Sequence, residues 1–271
     1  MDLTQGCENF PIYMHEESST DNLQNDYVPC NIPGPGINPD DFEENATGCG
    51  CEIDCDNFEG RTCPCVKYGL LYTTDGCVKN EATCSGNLAV IQECTRHCCC
   101  SQTCVNRVVQ HGIKVKMEVF EDSRKGFCVR VLEGVKRGQF LCEYAGEICS
   151  ETEARKIATS LNDSDKNYLF VLKEHLASGV SCTYIYPRYR GNIGRFISHS
   201  CEPNLSLVPV RIANNIPHVC LFASLDLPAG QEVTYDYGHG VGNSHLDLSK
   251  TVCHCNSSNC RGFLPGHLFA F

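Results

Sequence analysis

Clustered cysteines constrain the fold of this chain more than any other feature of its sequence. The 271 residues include 23 cysteines, and nine of them form two regularly spaced patterns in short segments. The first has the spacing C-x-C-x3-C-x7-C-x-C over residues 49–65, and the second has the spacing C-x3-C-x-C-x3-C over residues 94–104. Thiols one residue apart do not easily close a disulfide, but both can bind the same metal ion.

These nine cysteines predict a cluster of three zinc ions. Structural zinc prefers four thiolate ligands in a tetrahedron, so nine sulfurs serve three ions when three of them bridge. Each structural zinc ion contributes on the order of 10 kcal/mol of folding free energy, which explains how a segment with few apolar residues can fold. Cys77, Cys84 and Cys99 lie off this pattern and are treated as ordinary thiols. The predicted ligands are Cys49, Cys51, Cys55, Cys63, Cys65, Cys94, Cys98, Cys100 and Cys104.

A third group of cysteines, near the C-terminus, has one ligand too few for zinc. Cys253, Cys255 and Cys260 supply three thiols, so a fourth ligand must come from elsewhere. Cys201 is the candidate, because it lies in the polar stretch "RFISHSCEPN", which reads neither as an amphipathic helix nor as an alternating strand. A shared zinc ion would fold the C-terminal segment over this stretch, although other cysteines outside the zinc sets remain competitors.

The cysteine count and the N-terminus favour reduced thiols over disulfides. The count is odd, and "MDLTQGCENF" has neither the basic cluster nor the apolar core of a secretory signal. Reduced, metal-binding cysteines are typical of cytosolic or nuclear proteins. The alternative is a secreted, disulfide-rich protein, which four Asn-x-Ser/Thr sequons would support. A reductant rather than a chelator would unfold such a protein.

Charge is unevenly distributed along the chain. The net charge is −11, and residues 1–48 hold ten acidic residues and no lysine or arginine, which leaves the remainder close to neutral. Without clustered basic residues, we expect no direct sequence-specific DNA binding. No apolar run approaches the ~18 residues of a membrane span, so we expect no membrane partner. The acidic N-terminal arm is expected to be solvated and partly disordered, or else to attract a basic partner.

Short strands dominate the predicted secondary structure after residue 105. "KVKMEVFE" alternates apolar and polar residues, while "FLCEYAGEIC" and "HVCLFASLDL" are each candidates for a buried strand. One helix is well marked, because Ser150 and Glu153 form a capping box. Its apolar face consists of Ala154, Ile157, Ala158 and Leu161.

A series of motifs resembles a known family. The clustered cysteines are followed by "CVNRVVQHG", "KGFCVR", "CEYAGE", "NYLF", "RGNIGRFISHSCEPN", "VTYDYG" and "CHCNSSNCRGFL". Together they resemble SET-domain protein lysine methyltransferases of the suppressor-of-variegation class, and within it the SET portion of Metnase-type proteins, over about residues 30–265. The resemblance implies a mostly β, SET-domain fold of small curved β-sheets with a C-terminal pseudoknot, flanked by pre-SET and post-SET zinc modules.

The resemblance also implies a division of the chain. The acidic, partly disordered arm would cover residues 1–45, and the three-zinc pre-SET module residues 46–108. The SET catalytic domain would cover residues 109–239, and the post-SET zinc segment residues 240–271. The ligands of the post-SET zinc ion would be Cys201, Cys253, Cys255 and Cys260.

Active-site residues of the family can be placed on matching positions. Tyr237 would lie nearest the methyl transfer, Tyr144 would supply a second channel hydroxyl, and Tyr235 would tune the number of methyl groups added. Without the motifs, these tyrosines are equally consistent with buried core residues. Phe263 would be a lid or a packing residue, and His199 would act through its backbone rather than as a general base. The residues implied in binding S-adenosylmethionine are Lys125, Gly126, Phe127, Tyr168, Arg195, Ser198 and His199.

Three departures from the family pattern bear on activity. Cys128 replaces the second glycine of the usual Gly-x-Gly turn, and Ser198 replaces the asparagine that usually precedes His-Ser-Cys. An aspartate common before the Arg-Tyr-x-Gly-Asn run is absent, with Tyr186 and Pro187 in that region. Losing one polar contact costs ~1 kcal/mol, so the cofactor site should be weakened without being abolished. The alternative is an inactive SET-domain scaffold that binds chromatin proteins.

The resemblance implies a histone-lysine N-methyltransferase. Its expected substrate is the histone H3 tail, at lysine 9 or lysine 36. Mono- and dimethylation are expected to exceed trimethylation, because the Tyr235 hydroxyl would retain a water molecule and crowd a trimethylated amine. The protein is expected to act as a monomer on chromatin in the nucleus.

Overall fold

The computed structural model is built mainly from β-strands, as the sequence predicted. Helical structure in the described part of the chain includes one α-helix of ten residues and four short 3-10 turns. None of these helices is long and apolar enough to cross a membrane. The structure describes residues 2–16, 18, 26–55, 63–67, 69–80, 90–161, 167–176, 179–238 and 248–265.

Most of the strands are short, as expected for a fold of small sheets. In chain order the elements are β1 Tyr13–Met14, β2 Asp26–Tyr27, β3 Ile32–Pro33, β4 Ile91–Gln92, β5 Met117–Asp122, β6 Gly126–Val131, β7 Phe140–Glu143, β8 Gly146–Cys149, α1 Glu151–Ser160, β9 Phe170–Leu176, β10 Gly179–Gly191, β11 Ser198–His199, β12 Leu205–Arg211, β13 His218–Ala223, β14 Glu232–Tyr235, β15 Leu248–Val252 and β16 Phe263–Pro265.

The strands form three main sheets and one small hairpin. The first sheet has the order β1-β5-β6-β14-β11, and the second has the order β2-β10-β8-β3 with β9 paired to β10. The third sheet has the order β4-β12-β13-β7, and β15 pairs with β16 near the C-terminus. Many neighbouring strands are far apart in the sequence, so long-range pairing assembles the sheets. This set of small sheets agrees with the predicted fold class.

The β5–β6 hairpin carries the turn that was expected to approach the cofactor. Side chains alternate between buried and partly exposed positions at the start of β5, with Val119 fully buried, as the sequence pattern predicted. In the turn, Asp122 Oδ1 accepts hydrogen bonds from the backbone N–H groups of Arg124 and Lys125 at 2.9 and 3.0 Å. Gly126 follows with a φ of +78°, a conformation that favours glycine.

Helix α1 begins where the capping box predicted. Ser150 Oγ accepts a hydrogen bond from the backbone N–H of Glu153 at 3.3 Å, which satisfies one of the free donors at the helix start. Ala154 is fully buried in a small cluster with Leu169 and Tyr184. Ala154, with Ile157 and Ala158, therefore attaches α1 to the second sheet, whereas Leu161 of the predicted apolar face lies beyond the helix as its C-cap.

The segment "FLCEYAGEIC" forms two strands rather than one. β7 and β8 are separated by two residues and belong to different sheets. At the break, the N–H of Tyr144 still donates to the carbonyl of Val219 at 2.7 Å, in the third sheet. The N–H of Ala145 instead donates to the side chain of Asn192 at 3.2 Å. A buried amide side chain thus replaces a strand partner where the chain passes between sheets.

The described parts of the N-terminal arm are packed against the sheets. The sequence predicted a partly disordered arm, but β1 pairs in parallel with β5, β2 with β10 and β3 with β8. Ile12 is 1% exposed in the main core. The side chain of Asn9 donates to the carbonyls of His111 and Ile113 at 2.7 and 2.9 Å. These partners come much later in the sequence, so local composition could not reveal the pairing.

A buried carboxylate joins the cysteine-rich segment to the residues that follow it. Glu93 is fully buried and was not indicated by any sequence motif. It accepts hydrogen bonds from the Tyr72 hydroxyl at 2.9 Å and from the backbone N–H groups of Val108 and Val109 at 2.9 and 2.8 Å. The side chain of Gln110 adds another donor at 2.9 Å. These donors satisfy the carboxylate despite its burial and hold residues 108–110 against the cysteine-rich segment.

Candidate active site and zinc sites

The nine clustered cysteines come together in one group of thiols. Cys55 Sγ lies 3.5 Å from Cys49 Sγ and 3.4 Å from Cys94 Sγ. Cys65 Sγ lies 3.6 Å from Cys98 Sγ. Sulfurs bound to one tetrahedral zinc ion lie ~3.8 Å apart, because Zn–S bonds are ~2.3 Å long. The spacing of these donors therefore fits zinc.

Within this group, three sets of four thiols could hold a metal ion. All sulfurs of a set lie within 4.8 Å of one another. Each pair of sets has at least one cysteine in common, as bridging ligands require. The sets are Cys49, Cys51, Cys55 and Cys63; Cys49, Cys94, Cys98 and Cys100; and Cys55, Cys94, Cys100 and Cys104.

Cys201 lies beside the three C-terminal cysteines. Its Sγ atom is 3.9 Å from Cys253 Sγ, and the four sulfurs lie within 4.8 Å of one another. No other cysteine of the described residues occurs in this set, so the competitors left open by the sequence do not occupy the fourth position. This donor set also fits zinc. Its members are Cys201, Cys253, Cys255 and Cys260.

Arg261 forms hydrogen bonds that link the C-terminal thiols to the segment that carries the tyrosines. No sequence pattern indicated this role. Its backbone N–H and its Nε atom lie 3.3 and 3.4 Å from Cys201 Sγ, and Nη2 donates to Asp236 Oδ1 at 2.8 Å. N–H donors and a positive charge stabilise a thiolate. Because Asp236 lies between Tyr235 and Tyr237 in the sequence, Arg261 connects the thiols to these tyrosines.

The three tyrosines predicted to be catalytic meet in one aromatic cluster, in which Tyr144 and Tyr235 are buried and Tyr237 is partly buried. The ring centroid of Tyr235 lies 6.2 Å from that of Tyr144 and 4.8 Å from that of Tyr237. Phe170 adds an aromatic wall, with its ring centroid 5.1 Å from that of Tyr144. Tyr144 and Tyr235 are each 5% exposed. The structure thus brings together side chains from three separate segments.

Two of the hydroxyls in this cluster donate to backbone carbonyls. Tyr144 donates to the carbonyl of Tyr168 at 2.7 Å, and Tyr237 donates to the carbonyl of Ile197 at 2.9 Å. Burial raises the pKa of Tyr144, Tyr235 and Tyr237 above the ordinary value, so their hydroxyls are neutral near pH 7. Each oxygen can still accept a hydrogen bond from an amine. An amine in this cluster would lose its water, which lowers the pKa of the amine.

The parallel pairing of β11 with β14 places the tyrosines beside the polar stretch. His199 lies opposite Tyr235 in the register, and the N–H of Ser200 donates to the carbonyl of Tyr235 at 3.1 Å. His199 is 4% exposed, and its Nδ1 atom accepts a hydrogen bond from the N–H of Tyr237 at 3.2 Å. This bond connects the imidazole to the backbone beside Tyr235.

Arg195 and Tyr168, both predicted to bind the cofactor, are stacked. The guanidinium carbon of Arg195 lies 4.7 Å from the ring centroid of Tyr168. Arg195 Nη1 donates to the carbonyls of Pro187 and Arg188 at 3.1 and 3.0 Å. Its Nε atom is buried and has no hydrogen-bond partner among the described residues. A buried donor of this kind is costly unless a water molecule or a ligand accepts from it.

The other predicted cofactor residues have more varied surroundings. Lys125 Nζ lies 2.6 Å from both carboxylate oxygens of Glu232, so its ammonium forms an ion pair with that side chain. The ring of Phe127 packs edge-on against that of Phe196 at 5.6 Å between centroids. Phe263, the predicted lid, begins β16 and is 42% exposed.

The two unusual residues of the cofactor region contact each other. Ser198 Oγ donates a hydrogen bond to Cys128 Sγ at 3.1 Å, and both residues are buried. Burial raises the pKa of Cys128 to about 11, so the thiol is neutral and its sulfur lies 3.5 Å from the carbonyl of Gly126. Cys128 and Ser198, two of the departures from the family pattern, therefore satisfy each other's polar groups.

Asn192 forms hydrogen bonds to two segments of the site. Its role was not predicted from the sequence. It is 1% exposed, and its amide donates to the carbonyl of Glu143 at 2.7 Å. Its Oδ1 atom accepts from the N–H groups of Ala145 and Gly194 at 3.2 and 3.0 Å. The "RGN" motif contained this residue, but only the contacts reveal its role. It fixes the break before β8 and the turn that presents Arg195.

Replacing Asn192 with alanine is expected to lower the free energy of unfolding by about 3 kcal/mol. The substitution leaves three buried backbone groups without a partner. Urea denaturation followed by circular dichroism measures the effect. Asn215→Ala is the control, because Asn215 is exposed, and it should change stability by less than about 0.5 kcal/mol. Equal losses in the two variants would contradict the assigned role.

A family match and curated relatives agree with this geometry. The family described as SET domain matches residues 126–238. The histone-lysine N-methyltransferase SETMAR of Mus musculus is 34% identical over 275 residues, which cover 97% of this chain and 88% of that protein.

Solved structures resemble the whole fold. The methyltransferase domain of human SETMAR superposes with a TM-score of 0.82 at 33% identity, covering 98% of this chain and 97% of that one. KRYPTONITE, solved with mCHH DNA, an H3(1–15) peptide and SAH, gives a TM-score of 0.75 at 27% identity and covers 97% of this chain and 53% of that one. The sequence match and the shared fold lead to one conclusion: the chain belongs to the SET-domain histone-lysine N-methyltransferases.

Proposed function

We propose that this protein transfers methyl groups from S-adenosylmethionine to a lysine of the histone H3 tail. The observation that carries the proposal is the aromatic cluster of Tyr144, Tyr235 and Tyr237 beside β11. Aromatic walls exclude water, and neutral hydroxyls can orient an amine without neutralising it. Membership of the family supplies the reaction class, and this cluster supplies a site suited to it.

The cofactor is proposed to lie along β11 and the β5–β6 turn. When bound, S-adenosylmethionine supplies an electrophilic methyl group on a sulfonium. The unpaired Nε atom of Arg195 supports an acceptor oxygen of the cofactor nearby, and Tyr168 and Phe127 offer aromatic surface. The relative solved with SAH is consistent with this choice of ligand. The proposed cofactor residues are Lys125, Gly126, Phe127, Tyr168, Arg195, Ser198 and His199.

Side chains of the tyrosine cluster are proposed to prepare the lysine amine for attack. A free lysine has a pKa of ~10.4, so its amine must lose a proton before it can act as a nucleophile. Desolvation in the cluster favours the uncharged form. Tyr144 and Tyr237 direct their protons to backbone carbonyls, which leaves their oxygens to accept the amine N–H groups. The nitrogen lone pair is then directed away from the hydroxyls, toward the methyl donor.

We assign three zinc ions to the nine-cysteine cluster and one to the C-terminal site. Cys49, Cys55 and Cys94 are proposed to bridge, because together they connect the three sets of thiols pairwise. Cys65 is proposed to share a zinc ion with Cys98, which lies 3.6 Å away. The remaining pairs are Cys51 with Cys63 and Cys100 with Cys104, and the C-terminal ion has Cys201, Cys253, Cys255 and Cys260.

The proposed substrate is the H3 tail, at lysine 9 or lysine 36. The relative solved with an H3(1–15) peptide supports lysine 9 over lysine 36, since that peptide does not reach residue 36. The net charge of −11 favours association with a basic peptide. We propose that the protein acts on chromatin in the nucleus as a monomer, without direct sequence-specific DNA binding. The pre-SET, SET and post-SET parts are proposed to span residues 46–108, 109–239 and 240–271.

Replacing Tyr235 with phenylalanine is expected to raise the proportion of trimethyllysine in the product. The Tyr235 side chain is buried between Tyr144 and Tyr237, where its hydroxyl would hold a water molecule and limit space around the amine. Wild-type enzyme should stop mainly at mono- and dimethyllysine. Mass spectrometry of an H3 peptide over a time course measures the distribution. A wild-type product dominated by trimethyllysine would refute the assignment of Tyr235.

Radiolabelled methyl transfer to separately purified core histones tests the proposed function. Label is expected in H3 and not in the other core histones. Among H3 peptides, arginine in place of lysine 9 should abolish labelling, whereas arginine in place of lysine 36 should not. Labelling of another histone alone would overturn the substrate proposal. No labelling, together with no calorimetric binding of S-adenosylmethionine, would favour the scaffold alternative.

A further inference from the structure

A side-chain contact joins two strands of the first sheet that are not neighbours. In that sheet, β14 lies between β6 and β11. Cys128 belongs to β6, and Ser198 begins β11. Their side chains meet nevertheless, because Ser198 Oγ donates a hydrogen bond to Cys128 Sγ at 3.1 Å. This contact connects the two strands that flank β14.

The contact continues into the β5–β6 turn as a chain of two hydrogen bonds. The Cys128 thiol donates in turn to the carbonyl of Gly126, with 3.5 Å between sulfur and oxygen. Because burial raises the pKa of Cys128 to about 11, the thiol keeps the proton that this bond requires. The chain of hydrogen bonds therefore runs from the start of β11 to the glycine of the turn.

The two side chains of the pair are packed so closely that the size of each limits the size of the other. Cys128 is fully buried, and Ser198 is 7% exposed. An asparagine at position 198 in the same rotamer would carry a larger amide group where Oγ already contacts the sulfur, and the two groups would overlap. A glycine at position 128 would remove the sulfur and leave the Ser198 hydroxyl without its acceptor, beside a small cavity. Either change alone is therefore unfavourable, whereas the two changes together relieve both problems.

We propose that Cys128 and Ser198 form one positioning unit that holds the two sides of the cofactor region at a fixed separation. This inference rests on the proposed function, in which S-adenosylmethionine lies along β11 and the β5–β6 turn. Phe127 precedes Cys128 in β6, and His199 follows Ser198 in β11. A shift of either member of the pair therefore moves a neighbouring residue that is assigned to the cofactor. The two residues act through these neighbours, and as a pair rather than independently.

A double-mutant cycle, measured by calorimetry of S-adenosylhomocysteine binding, tests the pair without methyl transfer. Ser198→Asn alone and Cys128→Gly alone should each raise the dissociation constant at least about tenfold. The double variant carries the glycine and asparagine of the family pattern and should return to within about threefold of the wild-type value. Independent effects would multiply to about 100-fold instead. Single variants that bind like the wild-type protein, or a double variant that binds more weakly than either, would overturn the proposal.

Cys220→Ala is the control for a general loss of stability. Cys220 is as fully buried as Cys128 but lies in β13, in the third sheet. Cys220→Ala and Cys128→Ala should both lower the midpoint of urea denaturation. The dissociation constant should rise at least about fivefold in Cys128→Ala and stay within about threefold of wild type in Cys220→Ala. Equal rises in both variants would reduce Cys128 to a structural residue and overturn the proposal.

The same calorimetry separates failure of the pair from failure of the proposed function. No binding of S-adenosylhomocysteine by the wild-type protein would refute the proposed function and, with it, the positioning role. Binding by the wild-type protein, together with independent effects of the two substitutions, would refute the pair alone.

Discussion

Replacing Tyr237 with phenylalanine is expected to lower the turnover number for methyl transfer about 100-fold, the loss typical when one oriented polar group is removed from an active site. The Tyr237 hydroxyl is fixed by its hydrogen bond to the carbonyl of Ile197. Its ring contacts Tyr235 at 4.8 Å and His199 at 5.3 Å between centroids. Phenylalanine keeps these ring contacts and removes only the oxygen that is proposed to accept from the amine.

Steady-state kinetics on an H3 peptide, with calorimetry of cofactor binding, measures this effect. The dissociation constant for S-adenosylmethionine should remain within about threefold of the wild-type value, because Tyr237 is assigned to the lysine side of the site. Tyr189→Phe is the control, since Tyr189 is 63% exposed and lies in β10. A Tyr237→Phe enzyme with near wild-type turnover would remove Tyr237 from the mechanism.

Replacing Cys94 with serine is expected to unfold the cysteine-rich segment. Cys94 is fully buried, and as a bridging ligand it would bind two zinc ions. Each structural zinc ion contributes on the order of 10 kcal/mol, which is comparable to the whole stability of a domain, about 5–15 kcal/mol. The folding free energy lost with one bridging ligand is therefore larger than the stabilisation that the few apolar residues of this segment can provide.

Metal analysis of the purified variant measures this loss directly. The wild-type protein should contain four equivalents of zinc, whereas Cys94→Ser should lose at least one and lose its cooperative thermal transition. Cys99→Ser is the matched control, because Cys99 is exposed and belongs to no metal set. Cys77 is buried and also belongs to none, and Cys84 lies outside the described residues. Four equivalents of zinc in Cys94→Ser would refute the bridging assignment.

Features that depend on neighbouring residues, or on the fixed number of ligands around zinc, were predictable from the sequence. The start of α1 follows from a side chain that bonds to a backbone N–H three residues later. The alternation of β5 follows from the two-residue period of a strand. The thiols of Cys201 and Cys253 are far apart in the sequence, but the four-ligand requirement of zinc links them, and the structure places them in one set.

Features that depend on distant partners could not be predicted in this way. Glu93, Asn192 and Arg261 are ordinary polar residues in the sequence, and their roles arise from groups to which the fold brings them. The break after β7 has the same origin, because a side chain about 50 residues away supplies the hydrogen bond. The contact between Cys128 and Ser198 joins two departures that looked independent, 70 residues apart.

The short pairings of the N-terminal region have a consequence for solubility. β1 forms an edge of the first sheet, β2 and β3 form both ends of the second, and β4 forms an edge of the third. Each of these strands is two residues long. Unpaired sheet edges are templates for association between chains, and very short edge strands limit such growth. At these four positions, the first third of the chain leaves only a two-residue strand edge to which a strand of a neighbouring molecule could be added.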